Sequence, residues 1–331
     1  MSEEIRIEYK RPPFYRRVFA NLIDIILVAL CFFSFFIGIR SIVTSNSSYK
    51  EKISVINKTK KECGLFIEYQ GHYVDVVTYL NAQKDFSSSK KIKEITSSID
   101  NFLEYSKANL NLEDYEEIKN DYYTSLTSDD IVYDGVKMFV IEDGLLKENE
   151  LSKAPLSKYY EVYSNYVDSR LMTYLSTKYI AYFEATKYMS NMVLFLEIPV
   201  AYVLAGLVVY LLPPLIFKRG RRTVGKALYG VGLVNKDCLN LSGKQFAIRF
   251  VIFYFAIYLL SIVTLGIPMI ISFTLMAFSK GRQGFADYML NFTEIDMTKS
   301  TIYNSLDEIK IDYLNGRGKP IDFKMEDRLE K

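Results

Sequence analysis

Two places in the chain carry residue types whose spacing suggests chemistry. Gly220-Arg-Arg-Thr-Val-Gly225-Lys226-Ala227 matches the G-x-x-x-x-G-K pattern of a phosphate-cradling loop. Such a loop needs Ser or Thr after the lysine to hold magnesium, a strand before it and a helix after it. Here that position is Ala227, an apolar stretch precedes, and strand-like residues follow. The segment therefore reads as a tight basic turn, and no nucleotide or other cofactor is expected there.

The second place is Asp24, an acid six residues into a long apolar stretch, roughly 9 Å from its start at ~1.5 Å per helical residue. A carboxylate at that depth costs ~2.5 kcal/mol or more on insertion scales, so it must face protein, water or a cation. Arg17, Asn21, Asp24 and Val28 follow at i, i+4, i+7 and i+11, which puts the first three on one helical stripe. Arg249 opens a later apolar stretch on the same side of the membrane. Asp24 is then either a proton or cation site, or half of a structural ion pair with Arg249 or Arg17. The structural reading is preferred, because basic neighbours can simply neutralise the acid. Glu197, near the far end of another apolar stretch, is about 20 Å in depth from Asp24 and cannot pair with it. It is expected to snorkel to water, with Arg40 a candidate partner. His72 is the single histidine and reads as a surface or strand residue.

The elements that must position these residues are mostly apolar. Residues 18–43, 192–217 and 248–278 each reach the ~20 residues a helix needs to cross ~30 Å of hydrocarbon. The first exceeds the ~7–15 residues of a signal-peptide core and lacks a small-residue cleavage pattern, so it reads as an uncleaved anchor. Gly266 and Pro268 break the third, predicting a pair of segments at about 248–265 and 267–278, followed by Lys280 and Arg282. The expected fold class is an α-helical integral membrane protein with three to four membrane segments, a short β-hairpin at the cytoplasmic face and a mainly α (α+β) extracytoplasmic insertion.

Four parts follow: residues 1–43 (cytoplasmic N-terminus and first membrane helix), 44–191 (insertion), 192–296 (membrane segments with the hairpin) and 297–331 (a polar, soluble tail, partly disordered). Lys and Arg set the orientation. Residues 1–17 carry five, and residues 218–249 carry eight against the single acid Asp237, so both belong inside. Residues 44–191 carry 18 bases and 23 acids and are expected outside a cell membrane that the chain crosses several times.

The insertion holds most of the 27 tyrosines. Residues 44–62 are read as continuing the first helix to Gly64, 65–69 and 73–77 as strands about Gln70-Gly71, and 89–109 and 112–126 as helices. Asp134-Gly135 predicts a type I′ hairpin turn. From Pro155 to Pro199 no Gly or Pro intervenes, which predicts one long helix into the second membrane span. Residues 228–234 and 239–241 alternate about Asn235-Lys236-Asp237 and predict the cytoplasmic hairpin.

Composition excludes several classes. With 41 bases, 39 acids and half its residues hydrophobic, the chain has neither the field of a nucleic-acid-binding protein nor the make-up of a disordered one. Cys31, Cys63 and Cys238 lie far apart without a C-x-x-C pair, so neither a disulfide framework nor a metal site is expected. No nucleophile–base pair stands out, and no catalytic residue is assigned; an enzyme is not expected.

Several of these residues together resemble the RDD family of membrane proteins. Arg17-Val-Phe-Ala20-Asn-Leu-Ile-Asp24 resembles its opening, and Arg222-Thr223-Val224-Gly225-Lys226 with Leu228, Gly230 and Val234 resembles its T-x-G-K turn and following strands. Leu241-Ser242 with Arg249 is similar to its L-S…R approach to the next helix, and Gln283-Gly-Phe-Ala286-Asp287 to its closing Q-x-x-H-D element. Ala286 replaces the usual His, Val224 a frequent Pro, and Phe292 a usual Thr, so proton chemistry at that His does not carry over. The resemblance covers residues 14–43 and about 192–296.

It implies a multi-pass membrane protein, with transport suggested for some members. The expected function is transport of an ion or small solute, or an accessory role to a transporter, with Arg17, Asn21, Asp24 and Arg249 as the polar membrane site. Thr223, Gly225, Lys226 and Asp287 would stand near its cytoplasmic mouth. The lipid bilayer and either a second copy of the chain or a membrane partner protein are the expected partners. The alternative is a non-transporting scaffold or assembly factor that binds an extracytoplasmic partner through residues 44–191.

Overall fold

The computed structural model describes residues 9–279 and 281–314; Lys280 and the tail from residue 315, both used above, lie outside the described residues. Three helices are long and apolar enough to cross a membrane: Phe14–Ser45, Ile180–Ile216 and Gly243–Val263. A shorter apolar helix, Ile267–Phe278, follows a break at Gly266, whose φ is +88°. The chain divides into two compact units. One joins residues up to Ser41 with those from Phe195 onward, and the other spans Ile42–Leu194.

The Ile42–Leu194 unit has its own core. Ile92, Ile95, Ile99 and Phe102 recur at helical spacing on Ser88–Asn109 and are buried with Tyr122, Phe139, Tyr159 and Tyr163. The tyrosines suit this core because each buried ring can carry its hydroxyl to a partner. Tyr163 and Ser98 hydroxyls are 2.8 Å apart, Tyr179 donates to Ser106 at 2.8 Å, and Tyr122 donates to Asp100. Hairpins form at Phe66–Tyr69 with His72–Asp75 and, as Asp134-Gly135 predicts, at Val132–Tyr133 with Val136–Lys137. A third, Phe139–Glu142 with Leu145–Glu148, turns at Asp143-Gly144 and was not foreseen. Helices Ser88–Asn109 and Leu112–Leu126 stand where the pattern puts them. His72 is exposed on its strand.

Two helix expectations change. The first helix does not run on to Gly64, because Asn46 turns extended and its side chain caps Ser48 N at 2.9 Å, starting a new helix, Ser47–Glu62. The long helix from Pro155 is interrupted at Lys178–Tyr179 without any Gly or Pro. There Tyr179 turns its ring into the core, stacked on Tyr105 at 5.3 Å, and packing overrides helical propensity.

In the other unit, the second and third apolar helices pack through tyrosines. Tyr202 and Tyr258 stack with ring centroids 4.2 Å apart, and each hydroxyl donates to the other residue's carbonyl at 2.9 Å. Ile252–Leu259 is a π-helical stretch, a form in which the i→i+4 ladder is lost and carbonyls welcome other donors.

The expected hairpin over 228–241 is corrected. Val224–Leu228 is a short helix, and strand Val231–Val234 pairs antiparallel with Thr293–Asp296, placing Leu233 opposite Glu294. The return strand makes a single bridge, Val234 to Asn240. All four residues of Val231–Val234 are buried, so this strand needs an inner partner rather than an exposed return. In the described part of the tail, helix Leu306–Leu314 is anchored by buried Ile309.

Candidate functional site

The first apolar helix buries Arg17 and Asp24 of the predicted stripe together with Ala20, while Asn21, the third predicted member, is half-buried and donates its side-chain amide to Met276 Sδ at 3.3 Å. The partners differ from expectation. Asp24 pairs with neither Arg17 nor Arg249. Its Oδ2 accepts the Thr223 hydroxyl at 2.5 Å and its Oδ1 accepts the Gly225 backbone N–H at 2.8 Å. Thr223 can do this because it caps the helix Val224–Leu228, accepting Lys226 N on the same hydroxyl oxygen. Gly225 can because it has no side chain: a Cβ there would lie 2.0 Å from the Ala20 carbonyl oxygen. The glycine of the basic turn thus seats a backbone donor against the first apolar helix.

Arg17 instead donates to Glu294 and to the Arg282 carbonyl, and Lys226 reaches the other oxygen of Glu294 at 2.6 Å. Glu294 is buried between two cations. Burial alone raises its pKa, but Lys226 and then Arg17 outweigh it and hold the carboxyl down at about 2. Arg249 clamps Asp287 with Nε to Oδ1 at 2.5 Å and Nη2 to Oδ2 at 3.0 Å, the fork geometry that favours arginine over lysine. Beside them, Asp296 accepts Arg16 at 3.2 Å. Its carboxyl is lowered despite burial, by the hydroxyl and backbone N–H of Thr298 and by Arg16.

The eight residues predicted to matter, Arg17, Asn21, Asp24, Thr223, Gly225, Lys226, Arg249 and Asp287, fall into these adjoining networks. Six of the eight line one cavity of about 130 Å³, while Arg17 and Gly225 stand behind its wall. Glu294, Arg221 and Tyr210 line it too and were missed by sequence reasoning. Glu294 carries no local motif; alternation in Thr293–Asp296 was its one available signal. Phe253, Ile257 and Met276 are among the apolar residues of its lining. Arg222 lies over the Phe217 ring at 5.5 Å and is not part of the lining.

Away from the cavity, Glu197 corrects another expectation. It is fully buried rather than snorkelling to water, although Arg40 is its partner at 3.0 Å. No group of three or more metal-ligating side chains occurs among the described residues.

The residues found here are thus fixed charges and dipoles around a polar-and-apolar cavity, an arrangement that can hold a small polar solute. Comparison with known proteins adds a family. Residues 166–291 match the family model described as RDD family. The match takes in Thr223, Gly225, Lys226, Arg249 and Asp287 and leaves out the first apolar helix and Glu294. It covers less than half of the chain, and it begins inside the Ile42–Leu194 unit. No curated protein and no solved structure matches the chain. With that match and three helices apolar and long enough to cross a membrane, residues 166–291 are similar to the RDD family and the chain has the make-up of a membrane-type protein.

Proposed function

We propose that this protein is a multi-pass cell-membrane protein that transports an ion or small solute, or serves a transporter as an accessory, through the cavity beside Asp24. The observation that carries the reading is the cavity itself: about 130 Å³, lined by both charged and apolar side chains, several of them on helices that can span a bilayer. The basic flanks support an N-terminus on the cytoplasmic side and residues 44–191 outside. Three or four spans enclose a path poorly alone, so the reading includes a second copy or a membrane partner. It assigns no chemical reaction to the chain.

Asp24→Asn is a poor probe, because an amide NH2 would face either the Thr223 hydroxyl or the Gly225 N–H, both donors to the carboxylate. Asn21→Leu is better. It removes a polar cavity wall whose side chain holds only a weak contact to sulfur. In proteoliposomes, the wild type should show solute flux and Asn21→Leu a fall of about tenfold, the scale of one lost hydrogen bond to a charged or polar solute, with unchanged thermal stability. Equal flux in both proteins would reject the cavity as the path.

One observation favours a second reading, a scaffold. The Ile42–Leu194 unit is compact around its own core, as a separate binding module would be. Absence of flux in the wild type, together with a partner that is lost when residues 44–191 are replaced by a short linker, would support it.

A further inference from the structure

We infer that the cavity binds a phosphate group, supplied either as free phosphate or as a lipid headgroup, with Arg221 as its principal anchor. The inference rests on the reading of the cavity as a solute site and adds the chemical class of the solute.

Charge arithmetic at the site points to an anion. The three acids of the lining, Asp24, Asp287 and Glu294, equal its three bases, Lys226, Arg221 and Arg249, and Arg17 behind the wall, bound to Glu294, leaves the cluster one positive charge in excess. Arg221, on the cavity wall, is the remaining cation and forms no ion pair among the described residues. Its guanidinium cannot shed its charge. One nitrogen, Nη1, donates a long bond to the Pro214 carbonyl at 3.3 Å, and the group lies 5.3 Å over the Phe246 ring. Its Nε is fully buried without a partner among the described residues. A buried charged donor left unmatched is costly, and a phosphate oxygen is the acceptor that a planar fork of N–H groups fits best.

The acids argue the same way. A bound cation would have to share carboxylate oxygens that already accept hydrogen bonds: those of Asp24 from Thr223 and Gly225, those of Asp287 from Arg249, and those of Glu294 from Arg17 and Lys226. What the cavity offers a newcomer beyond these internal pairs is the Arg221 guanidinium, with Phe253, Ile257 and Met276 as apolar parts of the lining. The backbone also holds Arg221 in an unusual pose, with φ +45° directly after Gly220 at φ +77°. For a non-glycine residue this left-handed conformation is disfavoured and is kept where a side chain must be aimed.

The test uses the full-length protein in dodecyl maltoside micelles, a detergent that contains no phosphate. Inorganic phosphate is titrated at constant ionic strength, and the melting temperature is followed by circular dichroism. A parallel sample contains phosphatidic acid, with lipid retention read by native mass spectrometry. The wild type should show a saturable rise in melting temperature, and Arg221→Gln should weaken it by about tenfold or more, the scale of a lost hydrogen bond to a charged group. Arg221→Lys, which keeps the charge and loses the fork and Nε, should keep only part of the response, and Arg219→Gln, whose arginine pairs with Glu308 at 2.7 Å, should keep all of it.

A response to phosphate alone identifies a soluble source, and retained phosphatidic acid that abolishes it identifies a lipid headgroup. No response to either probe, or wild-type affinity in Arg221→Gln, would overturn the inference. Should Arg221→Gln fail to fold, the wild type decides, since phosphate must stabilise it where equal choline does not. Asn21-dependent flux of a cation by a protein indifferent to phosphate would leave the proposed function standing and remove this one. Phosphate binding without flux would do the reverse.

Discussion

Gly225→Ala should destabilise the membrane unit by about 3 kcal/mol or more, measured by unfolding of the purified protein in mixed micelles of increasing denaturing detergent. The added methyl would sit 2.0 Å from the Ala20 carbonyl oxygen and 3.0 Å from Asp24 Oδ1. The first of these is helix backbone, which cannot swing aside as a side-chain tip can. Overpacking of this kind costs typically 1–3 kcal/mol. Separating Val224–Leu228 from the first helix would also strip Asp24 of the Gly225 N–H and the Thr223 hydroxyl, each worth about 1.5–3 kcal/mol as a bond to a charged group. Thr223→Val, which removes one of those donors and adds no bulk against the helix, should cost roughly half as much. A Gly225→Ala protein as stable as wild type to within about 1 kcal/mol would mean that the turn does not pack on the helix as described.

Glu294→Gln should be comparably severe, at about 3–5 kcal/mol, because removing one member of a buried ionic cluster leaves its partners uncompensated. Here one acid serves two cations, Arg17 and Lys226. Lys226→Met should therefore cost less than Glu294→Gln, since it leaves the Arg17–Glu294 pair intact. Acid should reproduce the loss gradually. The carboxyl is held at about 2 in the folded protein against an ordinary 4.5. A depressed pKa contributes stability that is fully present above about 4.5 and is lost as pH falls from there toward 2. Unfolding measured between pH 6 and pH 3 should show a steeper decline for the wild type than for Glu294→Gln, the difference isolating this carboxyl from the others. Parallel curves would show that Glu294 does not titrate in the folded state as its surroundings require.

The two predictions meet at one structural fact. The Thr223–Lys226 turn is held to the first membrane helix twice, through Asp24 and through Glu294. The polar residues of the turn are therefore spent largely on assembly, and Asp24 is a receptor for the turn's donors rather than an ion-pair partner of either arginine. The phosphate inference gains from this, because it relies on the arginine that assembly leaves over.

Much of this molecule was legible from local pattern. Runs of apolar residues longer than a bilayer is thick located all three helices that are long and apolar enough to span one, since hydrophobic length needs no knowledge of neighbours. Helical spacing put Arg17 and Asp24 on one buried stripe, and Asp134-Gly135 announced its hairpin through turn geometry alone. The break at Gly266 was likewise visible, because Gly and Pro act through their own backbones.

Tertiary structure decided the rest. Strand Val231–Val234 rejected its near neighbour for Thr293–Asp296, some sixty residues along the chain, because a strand buried throughout must be covered by another buried one. Tyr179 broke a helix that nothing in its own sequence interrupts, drawn by Tyr105 and Ser106. Which base answers which acid was also decided in space. Charge carries no periodicity that reveals its partner, and the distance and direction between side chains, on which pairing energy depends, exist only once the helices have packed.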